Sequence, residues 1–485
     1  MIDSFTVKPT DYSDAGNATV FVREYHEDVI YTDSMGWLCW DGKCWERNEH
    51  RVLELAEELS KRMLDEARAI NLEAMHTKAE LEAAAAEGQK DEKALEEAKA
   101  AVAQATAYLN HAKVSRRAPR IKAILDLALP FLFLPGTAMD ANPCELNTQA
   151  GIIHLVTGEW RPNERAAKCI KITAVSRNAE GGGIWQDFLD TITCGDGGLK
   201  GFLQLVIGMA LFGKVYQEGV AFAIGDGKNG KSTFFNAVGA VLGDYAGYID
   251  IDVITTRGTN DKAALATLRG KRLVIAGELE EGRRLSASTV KKLASTDPFI
   301  VEEKYKQPEI VKPSHTLCLF TNHLPRVNST DTGTWRRIIV IPFNAVIEKE
   351  SAIQNYADYL VEKAGGAILA WAIEGARNFA RNGFHLDIPA SVAEATEAYR
   401  ERENWLEGFV EDRCVREPNA LAAARALYNA YKDWTSELGE YTHNDKEFSA
   451  EMEKQGYRKK RLKSGLVYVG LRLADTLCQD DELPL

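Results

Sequence analysis

The chain has 485 residues, 45% of them hydrophobic, and a formal net charge of −12. That length holds two or three cored domains, and the acidic balance excludes a protein coated in positive charge, so any contact with nucleic acid must be local. The eight cysteines (Cys39, Cys44, Cys144, Cys169, Cys194, Cys318, Cys414 and Cys478) form no C-x-x-C pair and no zinc spacing, which predicts free thiols in a reducing compartment. No signal-peptide pattern opens the chain, and its longest apolar runs, 202–212 and 128–134, are too short to cross a bilayer. No membrane role is expected.

In chain order, Asp41-Gly42 between the aromatic runs Trp37–Trp40 and Cys44-Trp45 predicts a hairpin, within a small N-terminal β-hairpin region over 1–60. Residues 61–182 read as a second domain. Its stretch 78–107, rich in Ala, Glu and Lys with i,i+4 charge pairing and a break at Gly88, predicts an exposed helical hairpin serving as a spacer or subunit contact. Short strands such as 151–155 follow, and Gly181-Gly182-Gly183 reads as a flexible joint.

The most informative segment is Gly225-Asp226-Gly227-Lys228-Asn229-Gly230-Lys231-Ser232-Thr233. An apolar run, 220–224, precedes it and a helical pattern follows, which is the strand–loop–helix setting of a phosphate loop. Glycines let backbone N–H groups converge on phosphate oxygens, and the next helix offers its positive end. Lys231 is expected to reach the β- and γ-phosphates of ATP, and Ser232 to ligate Mg²⁺. Arg272 then leads into a buried-strand pattern, 273–276, which ends in Gly277-Glu278-Leu279-Glu280-Glu281. A carboxylate there, at the end of a core strand, manages metal and water; Glu278 is the first candidate and Glu280 the second. A further apolar run, 316–321, ends at Asn322, which could orient water or act only as a turn residue. Trp335-Arg336-Arg337 precedes the strand pattern 338–342, and an arginine here is either a surface charge or a finger reaching a neighbouring subunit's nucleotide.

In this order and spacing, GDGKNGKST, RLVIAGELEEGRRL, KKLASTDPFIVEEKYK, HTLCLFTNHLP and TWRRIIVIPF resemble the ATPase core of superfamily 3 helicases. More narrowly, they resemble the phage and plasmid primase–helicase group with a poxvirus-type helicase domain. The likeness is strongest over about 200–345. It departs from the common pattern where Leu279 separates Glu278 from Glu280, which leaves metal ligation and water activation undivided between them. The residue patterns predict a mainly helical N-terminal region and a C-terminal winged-helix-like module over 396–478, and the resemblance implies an α/β fold with a P-loop, AAA+-like ATPase core over 183–395. It also implies that Lys304 and Lys306 project on a loop that holds single-stranded DNA. A Lys-aromatic-Lys run offers phosphate contacts and a stacking surface, although an edge hairpin protected by lysines would look the same. Of the two arginines, Arg337 aligns better with the family's finger, leaving Arg336 to anchor the strand or pair with an acid.

The last region carries helical patterns around 405–414, 422–434 and 448–455. The basic run Arg458-Lys459-Lys460-Arg461-Leu462-Lys463 then enters an alternating strand, which suits the wing of a winged helix meeting DNA phosphates. Residues 479–485 read as an acidic tail. The expected protein is an ATP-driven, ring-forming helicase, a hexamer by resemblance. It would act on single-stranded and forked DNA in the host cytoplasm at phage or mobile-element replication, with a separate primase or polymerase as partner. The alternative is a DNA-binding NTPase switch, an initiator or packaging ATPase without processive unwinding.

Overall fold

The computed structural model describes residues 6–89, 91–255, 265–278, 283, 285–302, 309–325, 327, 332–347, 354–403, 405–438, 441–462 and 465–474. It divides into two compact units, Met1–Ala179 with Ala240–Tyr245, and Glu180–Gly239 with Ala246–Leu485.

The first unit is a helical layer beside a small sheet. Helices α1 (Asp14–Tyr25), α2 (Glu49–Ala86), α3 (Glu92–Ser115) and α4 (Ala118–Leu132) bury Phe21, Val52, Leu59, Met63, Tyr108 and Ile124 against one another. Their starts are written in the sequence. Ser13, Asn48 and Asp91 each accept a backbone N–H of the following first turn, which satisfies donors that the helix itself leaves unpaired. Strands β1 (Val29–Thr32), β2 (Gly36–Trp40), β3 (Trp45–Arg47) and β4 (Phe133–Leu134) form a sheet in the order β3-β2-β1-β4. The Asp-Gly hairpin is present, with Trp40 opposite Trp45. A second sheet of β5 (Glu145–Thr148), β6 (Gly151–His154) and β7 (Trp160–Arg161) follows. The boundary expected at residue 60 falls inside α2, which runs through it unbroken, because Leu59, Met63 and Leu64 continue one buried stripe.

The second unit opens with α5 (Gly182–Ile192) and α6 (Gly197–Ala210) and is built on a parallel sheet. Its strands are β8 (Val220–Ile224), β9 (Ala246–Ile249), β10 (Leu273–Ala276), β13 (Thr316–Thr321) and β14 (Ile338–Pro342); α7 (Lys231–Leu242) follows β8, and a two-stranded antiparallel ribbon, β11 (Phe299–Val301) with β12 (Glu309–Val311), precedes β13. The spatial order is β14-β8-β13-β10-β9, and all four pairings are parallel. Buried on both faces, these strands are nearly continuous apolar runs, as parallel sheets require. β8, first in sequence, lies between β13 and β14, so the chain reverses direction of addition beside it. Ligands bind outside the carboxyl ends of strands at such a switch point.

Helices α8 (Ala287–Leu293), α9 (Thr332–Trp335), α10 (Tyr356–Arg381) and α11 (Ala390–Glu403) complete this part; α11 crosses the boundary expected at 395/396. Beyond it, α12 (Trp405–Arg413), β15 (Cys414–Ala423), α13 (Ala424–Leu438), α14 (Asp445–Lys454), β16 (Arg458–Leu462) and β17 (Gly465–Leu473) enclose their own core of Leu406, Phe409, Leu427, Tyr431, Phe448, Met452, Tyr468 and Leu471. The sheet order is β15-β17-β16, antiparallel throughout. Among the described residues no helix is long and apolar enough to cross a membrane.

Candidate functional site

The loop between β8 and α7 sits at the switch point. Its backbone takes three left-handed residues: Gly227 at φ 94°, Lys228 at φ 50° and Gly230 at φ 81°. A Cβ on Gly225 would lie 2.1 Å from Asn229 Nδ2 and 2.3 Å from the Phe343 carbonyl, and one on Gly230 would lie 2.4 Å from Ile192. Those two glycines are therefore required by close approach, and Gly230 by conformation as well. The loop is pinned to the segment after β14: Asn229 Nδ2 donates to the Phe343 carbonyl at 3.1 Å, and Ile347 N–H donates to the Lys228 carbonyl at 2.9 Å.

Lys231 is the centre of the site. Its ammonium is buried and donates to the Gly225 carbonyl at 2.6 Å, Asn229 Oδ1 at 2.9 Å and Asn322 Oδ1 at 3.0 Å, using its three donors. Burial lowers its pKa from the ordinary lysine value, while the carboxylates of Asp226 and Glu278 pull the other way. A lysine held this way is a charged group kept out of water at the glycine loop, the electrostatics an anionic ligand needs. Ser232 is exposed on the first turn of α7, and Thr233 follows it half-buried.

The strand ends bring the other candidates to this place. Asn322 follows β13, where Thr321 Oγ1 accepts from His323 N–H at 3.1 Å and donates to its carbonyl at 2.9 Å, a local turn that presents the amide to Lys231. Glu278, exposed just past β10, is near enough to act on the lysine. Glu280 lies outside the described residues. So do Lys304 and Lys306, between β11 and β12, and Lys463. Among the described residues no cluster of three or more His, Cys, Asp or Glu could hold a metal ion.

The two neighbouring arginines are placed the other way round from the expectation. Arg337 is the anchored one: its side chain is 8% exposed, it pairs with Glu218 and it donates to the Gly333 carbonyl at 2.7 Å. Arg336 is 67% exposed and touches Glu218 only at 3.3 Å. Both reach the same Glu218 oxygen, but only Arg337 is withdrawn from solvent and held by a second bond as well. Glu218 was missed from sequence because nothing local marks a carboxylate two residues before β8 as a partner for arginines more than 100 positions on. Arg336 and Arg337 also line, with Lys291 and Lys292, a concavity of about 510 Å³, a concentration of cations on an otherwise acidic chain.

Comparison with known proteins gives two family matches. A family described as D5 N terminal like matches residues 18–194, and a family of unknown function (DUF5906) matches residues 223–337. Among curated proteins, one named as a helicase in Acanthamoeba polyphaga mimivirus is 25% identical over 340 residues, covering 65% of this chain and 35% of its own length. A helicase-named protein of Frog virus 3 is 25% identical over 67% of this chain and 36% of its own, and a primase-named protein of African swine fever virus is 25% identical over 52% and 28%. The chain thus spans about a third of the length of the curated relatives it matches. Among solved structures, the C-terminal region of NrS-1 superposes with a TM-score of 0.38 at 13% identity, over 61% of this chain and 77% of that one, too loosely to carry an argument. The two family matches and the viral helicases and primases agree with the motif order and support a likeness of this chain to the D5-like phage and viral primase–helicase family.

Proposed function

We propose that this chain is an ATP-driven DNA helicase of viral or phage replication, acting as a ring of identical copies. The observation that carries the reading is Lys231: a buried ammonium held beneath a glycine loop at the switch point of a parallel sheet, with an amide and a carboxylate on adjoining strand ends. The strand order, with the first strand between the fourth and fifth, supports an AAA+-like P-loop core, and the order helix, strand, helix, helix, hairpin in the C-terminal module supports a winged helix.

The residues fit a nucleoside triphosphate. The places where a Cβ on Gly225 or Gly230 would collide keep the loop backbone close enough to cradle phosphates. Lys231 would carry its charge to the β- and γ-phosphates, and Asn322, already in contact with Lys231, would orient water at the terminal phosphate. Ser232 and Glu278 would hold Mg²⁺, which supplies charge neutralisation on the phosphates when bound. Two protein oxygens suit an ion that keeps phosphate and water ligands. Arg336, exposed and beside Lys291 and Lys292, is the better candidate to reach a neighbouring copy's nucleotide, since Arg337 is committed to Glu218.

The test is nucleotide binding and turnover measured separately. Lys231→Ala is expected to lose both, whereas Glu278→Gln is expected to bind ATP with hydrolysis slowed at least about a hundredfold. Normal turnover in both variants would remove the site assignment.

A further inference from the structure

Helix α14 and the β16–β17 hairpin carry opposite charge. The helix sets four carboxylates (Asp445, Glu447, Glu451, Glu453) against two lysines (Lys446, Lys454). At its start Asn444 Oδ1 accepts from Glu447 N–H at 3.0 Å, and the Glu447 carboxylate reaches back to Asn444 N–H. Acidic groups there stabilise the helix through its cap and dipole, and the same groups repel phosphates. A helix that reads a major groove does so with its N-terminal residues, and this one presents carboxylates. β16, by contrast, begins with four exposed cations, Arg458, Lys459, Lys460 and Arg461.

Strand pairing divides that basic run. Arg458, Lys459 and Lys460 stand opposite Val469, Tyr468 and Val467; paired residues share a face, and successive residues alternate. Lys459 lies 5.5 Å over the Tyr468 ring, donates to Ser449 Oγ and meets Glu453 at 3.6 Å. The Tyr468 hydroxyl donates to the same Ser449 Oγ at 3.0 Å. Lys459 is thus directed at α14, with its charge met there. The side chains of Arg458 and Lys460 leave the strand on its other side and, among the described residues, make no hydrogen bond or ion pair.

We infer that this module grips the phosphate backbone of duplex DNA with the hairpin side that bears Arg458 and Lys460, while Lys459 ties the hairpin to α14 and the acidic helix stays out of the groove. The inference rests on the winged-helix reading above. It moves the contact from the helix to the hairpin and predicts binding without base preference, because backbone contacts carry no sequence information.

The experiment is fluorescence anisotropy of the full chain with two duplexes of unrelated sequence over a salt series, with thermal melts to confirm folding. Both duplexes are expected to bind alike. Arg458→Glu with Lys460→Glu is expected to lower affinity at least about tenfold at low salt and to flatten the log–log salt slope by about 1.8, or about 0.9 per lost contact. Arg458→Gln and Lys460→Gln, tested singly, should each flatten it by about half as much, which keeps the result readable if the double variant folds poorly. Lys446→Glu on α14 and Lys459→Gln should leave the slope unchanged. An equal loss from Lys446→Glu, or an unaltered slope in the hairpin variants, would overturn this inference alone. A parent chain that binds no duplex at low salt would overturn the winged-helix reading and the inference with it.

Discussion

At the scale of single residues, two buried cations and one buried imidazole set what can be measured. Lys231 and Arg337 are both withdrawn from water, but one is held by neutral oxygens, the Gly225 carbonyl and the Asn229 and Asn322 amides, and the other by the Glu218 carboxylate. Arg337→Ala should therefore destabilise the fold by about 1–3 kcal/mol, since it removes a buried group that pairs with Glu218 and bonds the Gly333 carbonyl, whereas Arg336→Ala should leave the urea midpoint unchanged and act on turnover. His315 adds a pH dependence. It is fully enclosed, its ring bonds the Leu293 backbone, and its Nε2 has no partner among the described residues. Burial pulls its pKa down to about 4, against an ordinary value near 6.5. Between those values the unfolded chain binds a proton that the folded chain does not, so stability rises with pH across the window and is lost as pH falls from about 6.5 to 4, by about 3 kcal/mol in full. Urea unfolding at pH 7 and pH 4.5 should show this loss, and His315→Gln should reduce the difference. An identical pH difference in the variant would show that other groups cause it.

Elements explain which of these features could be read from sequence. The glycine loop between β8 and α7 was legible because its signal is local: glycines where φ is positive, a lysine at the first residue of α7, and an apolar strand before it. The strands were legible as apolar runs, and their ends delivered Glu278 and Asn322 to the loop. The roles of Arg336 and Arg337 were not, because a one-residue difference after a short helix depends on the turn's geometry and on Glu218. A helical pattern from about residue 50 was legible as well, but not that its buried stripe runs on past the boundary expected at residue 60. Packing behind the loop was equally silent in sequence. Trp185 on α5, 1% exposed, stacks on Phe234 of α7 and meets Trp371 of α10 edge-on. It braces the helix that carries Lys231. Trp185→Ala should cost about 3–5 kcal/mol, read as a lower urea midpoint, with ATP affinity falling alongside. Unchanged stability would mean that α7 does not depend on this aromatic stack.

For the whole molecule, the proposed ring makes each ATP site a product of two copies, with Lys231 from one and Arg336 from the next. Lys231→Ala and Arg336→Ala should each be inactive alone, and mixing them should restore part of the hydrolysis, because some interfaces then pair an intact lysine with an intact arginine. Absence of any recovery in mixtures that demonstrably exchange subunits would place Arg336 outside the site. The central claim, that ATP turnover at this loop drives strand separation, is tested most directly by displacement of a labelled strand from a forked duplex, with ATP hydrolysis followed in the same reaction. The parent chain should hydrolyse ATP faster with the fork present and release the strand only when ATP is supplied, and Lys231→Ala should do neither. DNA-stimulated hydrolysis without strand release would contradict the helicase account and favour a DNA-bound NTPase switch.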